Sequence, residues 1–116
     1  MRWLVDTSVW IDHLRSGNAR LIELLREDSV LIHPAVIGEL ACGTLRKRAE
    51  TLANLRLLPR APEASLDEVL HFIDEHHLHG RGIGWVDAQL LASAALSDAS
   101  LWTLDARLAS VTRRGK

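Results

Sequence analysis

Hydrophobic positions along this chain follow two alternating rhythms: short solid runs, and longer stretches with helical spacing. Trp3-Leu4-Val5, Val30-Leu31-Ile32 and Leu101-Trp102-Thr103-Leu104 are brief and nearly continuous, as strands buried on both faces are. Between them, apolar residues recur three or four positions apart. Val9, Trp10, Ile11 and Leu14 mark a first helix, for which Thr7-Ser8 offers an N-cap. Ser16-Gly17-Asn18 is a turn, and Leu21, Leu24 and Leu25 carry a second helix through Arg26. Pro34 at a first helical position opens a third, holding Val36, Ile37, Leu40 and Ala41. The segment from Arg46 to Leu55 reads as an amphipathic helix with a basic start, and Arg56-Leu57-Leu58-Pro59 as a brief strand or connector. Ser65-Leu66-Asp67-Glu68 is a capping-box start for a helix with Val69, Leu70 and Ile73, which ends in a histidine-rich stretch before Gly80. Gly80, Gly82 and Gly84 form a loop, Val86 to Leu96 is the most apolar helix, and a last helix begins near Ala106. Strands alternating with helices predict an α/β fold with a small, mainly parallel sheet.

Four acids break this pattern. Asp6 ends the first strand, Glu39 interrupts Ala35-Val36-Ile37-Gly38-Glu39-Leu40-Ala41, Asp87 follows Gly84-Trp85-Val86, and Asp105 follows the Leu101–Leu104 run. An unpartnered carboxylate taken out of water costs several kcal/mol or more, so four at core edges suggest one shared cation. In an open parallel sheet the carboxyl ends of strands gather at one edge, where ligands bind. If the strands ending in Asp6 and Asp105 are near neighbours, both acids face one crevice, which Asp87 at a helix start and Glu39 on a helix can complete. All-oxygen ligation suits Mg²⁺ or Mn²⁺ rather than zinc. One or two such ions activate water and stabilise the leaving oxygen of a phosphodiester. Plainer readings stand beside this one. Asp87 and Asp105 also fit simple N-caps, and Glu39 a solvated helix position. Asp6 has no evident packing reason.

Totals narrow the picture only slightly. With 116 residues, 47% apolar and 25% charged, the chain is expected to form one domain over residues 1–116, large enough for a core without disulfides. A net charge of −1 argues against a strongly basic nucleic-acid binder, although a neutral total accommodates an acidic pocket ringed by arginines. Arginine supplies 12 of the 14 cations, which suits bidentate phosphate contacts and equally reflects a genome rich in G and C. Cys42 is the sole cysteine, which fits a reducing cytoplasm and a small buried hydrophobe. No run reaches transmembrane length, and Trp3-Leu4-Val5 is too short for the apolar core of a signal peptide.

Several other features carry weaker signals. His71, His76, His77 and His79 match no zinc spacing and fit the solvated end of a helix, where a charged imidazole favours the dipole. Gly80-Arg81-Gly82-Ile83-Gly84 lacks dinucleotide-fingerprint spacing and serves to position the following helix, with Arg81 a candidate phosphate contact. Arg46-Lys47-Arg48 and Arg113-Arg114 with Lys116 are basic clusters, either solvated faces or a means of steering RNA. Trp3, Trp10, Trp85 and Trp102 sit inside apolar runs, as core residues do, and Trp85 is the one placed to stack on an unpaired base.

The blocks Val5-Asp6-Thr7-Ser8-Val9-Trp10-Ile11, Ile37-Gly38-Glu39-Leu40, His79 through Ala92, and Leu101-Trp102-Thr103-Leu104-Asp105-Ala106-Arg107-Leu108 resemble the signature segments of PIN-domain endoribonucleases, above all VapC-type toxins. The resemblance runs from residue 5 to residue 108 and is most specific around Asp87. It implies a PIN-like three-layer α/β/α sandwich. It also implies that Asp6, Glu39, Asp87 and Asp105 form the Mg²⁺ or Mn²⁺ site at which RNA is cleaved, with Thr7 or Ser8 a polar neighbour of that site. A homodimer is implied as well, together with a VapB-type antitoxin whose tail occupies the acidic groove in a toxin–antitoxin hetero-oligomer. Eleven residues follow Asp105, so a shortened final element is expected.

Two other function classes compete. An aspartyl-phosphate phosphatase or receiver-like domain also ends its first strand in Asp, but the phosphatase pattern wants a second Asp where Ser8 stands, and no Lys lies between Lys47 and Lys116 for a receiver. A non-catalytic RNA- or protein-binding domain of the same fold has no use for crowded carboxylates, which repel one another.

Overall fold

Seven helices surround a short parallel sheet in the computed structural model, which describes residues 1–114 and side chains as far as Thr112; the side chains of the basic group Arg113, Arg114 and Lys116 thus lie outside what is described. In chain order the elements are β1 (Trp3–Val5), α1 (Thr7–Ser16), α2 (Ala19–Arg26), β2 (Val30–Leu31), α3 (Pro34–Cys42), α4 (Arg48–Arg56), α5 (Leu66–Glu75), α6 (Trp85–Leu96), β3 (Ser100–Trp102) and α7 (Ala106–Arg114). The sheet order among the described residues is β2-β1-β3, with Trp3 and Leu4 opposite Val30 and Leu31, and Trp3 to Val5 opposite Ser100 to Trp102. The chain steps from β1 to one neighbour and later returns to the other. With right-handed crossovers, such a reversal sends helices to both faces, giving the α/β/α sandwich. It also makes the carboxyl end of β1 a switch point, where an open sheet leaves a crevice.

Leu4, Val5, Leu31, Ile32, Val9, Val36, Leu90 and Leu108 pack the core between these layers with essentially no exposure. At roughly 1.5–3 kcal/mol per fully buried aliphatic side chain, this cluster fixes the strand ends and therefore the acids that follow them.

Local details differ from the pattern along the chain. Asp6, not Thr7-Ser8, caps α1: its carboxylate accepts the Ser8 and Val9 N–H groups, and the helix starts at Thr7. The fourth helix begins at Arg48, because Arg46 stays in the preceding loop and Lys47 adopts a left-handed conformation at φ 47°. Arg56-Leu57-Leu58-Pro59 is the end of that helix and a connector, after which Arg60 makes a single parallel bridge to Ile32. Cys42 is exposed rather than buried, since it ends α3 on the side opposite Val36 and Leu40. His33 is buried at the start of α3, where its Nδ1 accepts the Ala35 N–H at 3.0 Å; burial lowers its pKa, as does Arg60, against the pull of Glu63.

Candidate active site

Asp6 leaves β1 directly at the switch point and is 5% exposed. Its Oδ1 accepts the Ser8 N–H at 2.9 Å, the Val9 N–H at 3.4 Å and the Ser8 hydroxyl. Its Oδ2 accepts the hydroxyl of Thr103, the residue just beyond β3. Each hydroxyl is aimed by a backbone donor behind it. Ser8 Oγ accepts the Leu104 N–H at 2.9 Å, and Thr103 Oγ1 accepts the Asp105 N–H at 3.0 Å. With one proton apiece, both hydroxyls therefore present it to Asp6, leaving their own 3.3 Å contact without a proton to share. The acid that seemed to lack a packing reason has two: it caps a helix and joins β1 to the end of β3.

Asp105 is tied to the same network through its N–H. It caps α7, accepting the Arg107 N–H at 2.9 Å and the Leu108 N–H at 3.4 Å on Oδ1. The N-cap reading is thus correct for Asp105, and it leaves Oδ2 free of these bonds, with Asp105 still near enough to Asp87 to act on its charge. Asp87 occupies the third position of α6 rather than its N-cap. Gly84 is the cap residue, and its N–H reaches Asp87 at a long 3.4 Å.

Gly84 ends the loop that positions Asp87. Within it Gly82 sits at φ +76°, and a Cβ there would lie 3.1 Å from the Arg107 guanidinium, so the missing side chain lets α7 and this loop close together. Glu39 is exposed on α3, and the hydroxyl of Thr7 at the start of α1 donates to its Oε1. Thr7 and Ser8 therefore divide the work: one reaches Glu39 on α3, the other Asp6.

The electrostatics bring the four acids into one neighbourhood. Burial raises the pKa of Asp87, and Asp105, Asp6 and Glu39 each push it further in the same direction, while the Gly84 N–H opposes them. Every charged group acting on Asp87 is thus another carboxylate. Among the described residues, ion pairs are confined to His71 and His76 with Glu75, each at 3.9 Å, so no Lys or Arg among them is ion-paired with these acids. The oxygens present are carboxylates and hydroxyls, which fits a hard divalent cation. No three His, Cys, Asp or Glu side chains among the described residues stand close enough together to hold a metal ion, so the four acids are neighbours without being a formed ligand set. Mg²⁺, which keeps several of its waters and takes only one or two carboxylates directly, suits such an open arrangement.

Arg81 is half-buried in the glycine loop, and none of the hydrogen bonds to the four acids involves it. Trp85 is 48% exposed, unlike buried Trp10. In the histidine stretch, His76 stacks on Phe72 at 4.0 Å between ring centroids, and His71 is exposed. Thr103 is the site residue that sequence reasoning passed over. Its signal was the Thr-Leu-Asp spacing, since a hydroxyl two residues before an acid can accept that acid's N–H.

A PIN-domain family model matches residues 3–114. The chain is 52% identical over 106 residues to Ribonuclease VapC32 of Mycobacterium tuberculosis, with the same values in two strains, covering 90% of this chain and 86% of that protein. Among solved structures, PAE2754 from Pyrobaculum aerophilum superposes with a TM-score of 0.69 at 22% identity, covering 97% of this chain and 86% of that one. VapC20 of Mycobacterium tuberculosis, described as a sarcin-ricin-loop-cleaving toxin, superposes with a TM-score of 0.67 at 22% identity, covering 93% of each chain. At that identity these two structures speak for the fold. The buried Asp6 at the switch point, the acids gathered around it and the family match over nearly the whole chain agree: this chain belongs to the PIN-domain family and is of the VapC type.

Proposed function

We propose that this chain is a Mg²⁺- or Mn²⁺-dependent endoribonuclease, the toxin of a VapBC-type toxin–antitoxin pair that acts in the cytoplasm and is held inactive by a VapB-type antitoxin. The observation that carries this reading is that Asp105, Asp6 and Glu39 all act on Asp87 as like charges, each raising its pKa. Its ribonuclease part is also supported by the 52% identity to a protein named as a ribonuclease.

Asp6, Asp87, Glu39 and Asp105 are the residues that would hold the ion. When bound, it would supply charge to the phosphate oxygens and acidity to an attacking water. The chain's own contribution is placement. Ser8 and Thr103 fix both oxygens of Asp6, the latter also setting the backbone of Asp105, and Thr7 steadies Glu39. Such outer partners orient the groups that meet the ion, so that they need not reorganise during reaction.

The test is cleavage of a single-stranded RNA by the purified chain. Cleavage is expected with Mn²⁺ or Mg²⁺, to stop with EDTA, and to be lost in Asp6→Asn and Asp87→Asn. Unchanged cleavage in EDTA, or full activity in both variants, contradicts the reading.

A homodimer fits an apolar face on the α5–α6 pair. Ser93 Oγ donates to the Pro62 carbonyl, so the start of α5 lies near the end of α6 and the two helices run antiparallel. Val69, Ala88 and Ala92 seal their contact, which leaves Leu66, Leu70, Trp85 and Leu96 exposed on one side of the pair. Leu70→Glu is expected to convert a dimer to a monomer in sedimentation; a wild-type monomer would remove this part of the proposal. No helix among the described residues is long and apolar enough to cross a membrane.

A further inference from the structure

A second feature lies at the far end of α1. Arg46, Lys47, Thr51 and Asn54 line a crevice of about 240 Å³, with Leu14 on the α1 side. The backbone around the two cations is fixed. Arg48 donates from its guanidinium to the Ala41 carbonyl at 3.0 Å, which clamps the start of α4 onto the last turn of α3, and the Thr51 hydroxyl donates to the Arg46 carbonyl at 3.1 Å. The Arg46 and Lys47 side chains are exposed, and among the described residues neither forms an ion pair, although Glu50 also lines the crevice.

We propose that this crevice is a second RNA-phosphate site, which grips the strand about three nucleotides from the bond that is cut. The proposal rests on the ribonuclease reading above. Thr7, Ile11 and Leu14 fall at i, i+4 and i+7 and share one face of α1. Thr7 marks the acidic end of that face, because it holds Glu39, and Leu14 marks the basic end. The two are roughly 10 Å apart along the helix, a span of about three phosphates at the ~3.4 Å rise of a stacked strand. Ile11 is exposed between them and Leu14 at the basic end, so bases crossing this face meet apolar surface.

Charge explains why such a grip is useful. The four acids repel a polyanion until a cation joins them, and −1 overall gives the chain no general attraction for RNA. Arg46 and Lys47 supply attraction outside the acidic crevice, where they do not compete with the ion for carboxylates. RNA is the favoured occupant over an acidic peptide because the same face of α1 leads a phosphate chain from the acids to the crevice.

The test compares the wild-type chain with Arg46→Glu/Lys47→Glu and with the neutral pair Arg46→Gln/Lys47→Asn, in which Asn accepts the left-handed backbone. Binding of a single-stranded RNA dodecamer and of a trinucleotide is followed by stopped-flow fluorescence anisotropy with Mg²⁺ present, before cleavage proceeds, over a range of salt, after thermal melting shows each variant folded. Dodecamer affinity is expected to fall at least tenfold in the charge reversal and less in the neutral pair, with trinucleotide affinity unchanged. The slope of log affinity against log salt should become shallower by about 0.7 for each phosphate that the variant no longer neutralises. Unchanged dodecamer binding, or equal losses for both lengths, overturns the proposal. Loss of polyglutamate binding with RNA binding intact overturns it in favour of a protein ligand. Mn²⁺-dependent cleavage by the wild type is scored separately, so a length-dependent loss of binding without cleavage would sink the ribonuclease reading alone.

Discussion

The two sides of the acidic crevice are built on opposite principles. On the sheet side, Asp6 is buried and receives four donors, two from backbone and two from hydroxyls that are themselves aimed by N–H groups. On the helix side, Asp87 has one long bond from Gly84 and Glu39 one hydroxyl, and Asp87 is surrounded by like charge. The sheet side is satisfied without help, whereas the helix side is left short of positive charge. A fully paired network rigidifies, and an under-paired one stores the affinity that a ligand later releases.

The largest expected effects separate the sides by function and stability together. Asp87→Asn is expected to abolish cleavage and yet raise the melting temperature in EDTA, because it removes a charge held among carboxylates. Asp6→Ala should also abolish cleavage but lower stability by about 2 kcal/mol, since it strips a helix cap and strands two half-buried hydroxyl donors. Melting curves decide this, and a shift of the same sign in both variants would erase the distinction between the sides.

Thr103→Val is the intermediate case. It leaves every carboxylate in place but removes one of the four donors to Asp6, the one on Oδ2, and the acceptor of the Asp105 N–H. An activity loss of roughly 10–100-fold is expected, the range typical of partners behind a metal ligand. Wild-type rates in that variant would show that the hydroxyl is decorative.

The pH dependence of stability should be gentler and two-sided. Asp87 has a raised pKa, so the folded chain holds its proton more tightly than the unfolded chain does. Its contribution is favourable below about pH 4 and is lost as pH rises through the raised value. His33 has a lowered pKa, so its contribution is present above about pH 6.5 and is lost as pH falls through the lowered value. Denaturant titrations without metal should lose the first slope in Asp87→Asn and the second in His33→Asn, where the amide can keep the α3 cap.

Much of this was legible along the chain. Acids placed at the ends of apolar runs became neighbours because β1 and β3 pair directly, and the strand-to-helix alternation gave the parallel sheet. What stayed hidden depends on which way a side chain turns. Thr103 reads as one more strand residue until β3 is set beside β1, and Cys42 reads as core until the helix phase of α3 turns it outward. Asp6 and Asp105 show that capping a helix and facing a crevice are compatible, because each role can use a different oxygen of one carboxylate. The start of α4 escaped prediction because it hangs on a left-handed Lys47 and a side-chain bond from Arg48 to Ala41, neither of which propensity anticipates.

The central claim is that the four acids form one divalent-cation site completed on its helix side. Its most direct test is the melting temperature of the wild type and of Asp87→Asn as Mn²⁺ is added. The wild type should gain stability with concentration, reaching about 2.7 kcal/mol at a hundredfold excess over Kd, while Asp87→Asn starts higher in EDTA and gains far less. Equal Mn²⁺-induced gains in the two proteins, or none in the wild type, would contradict it.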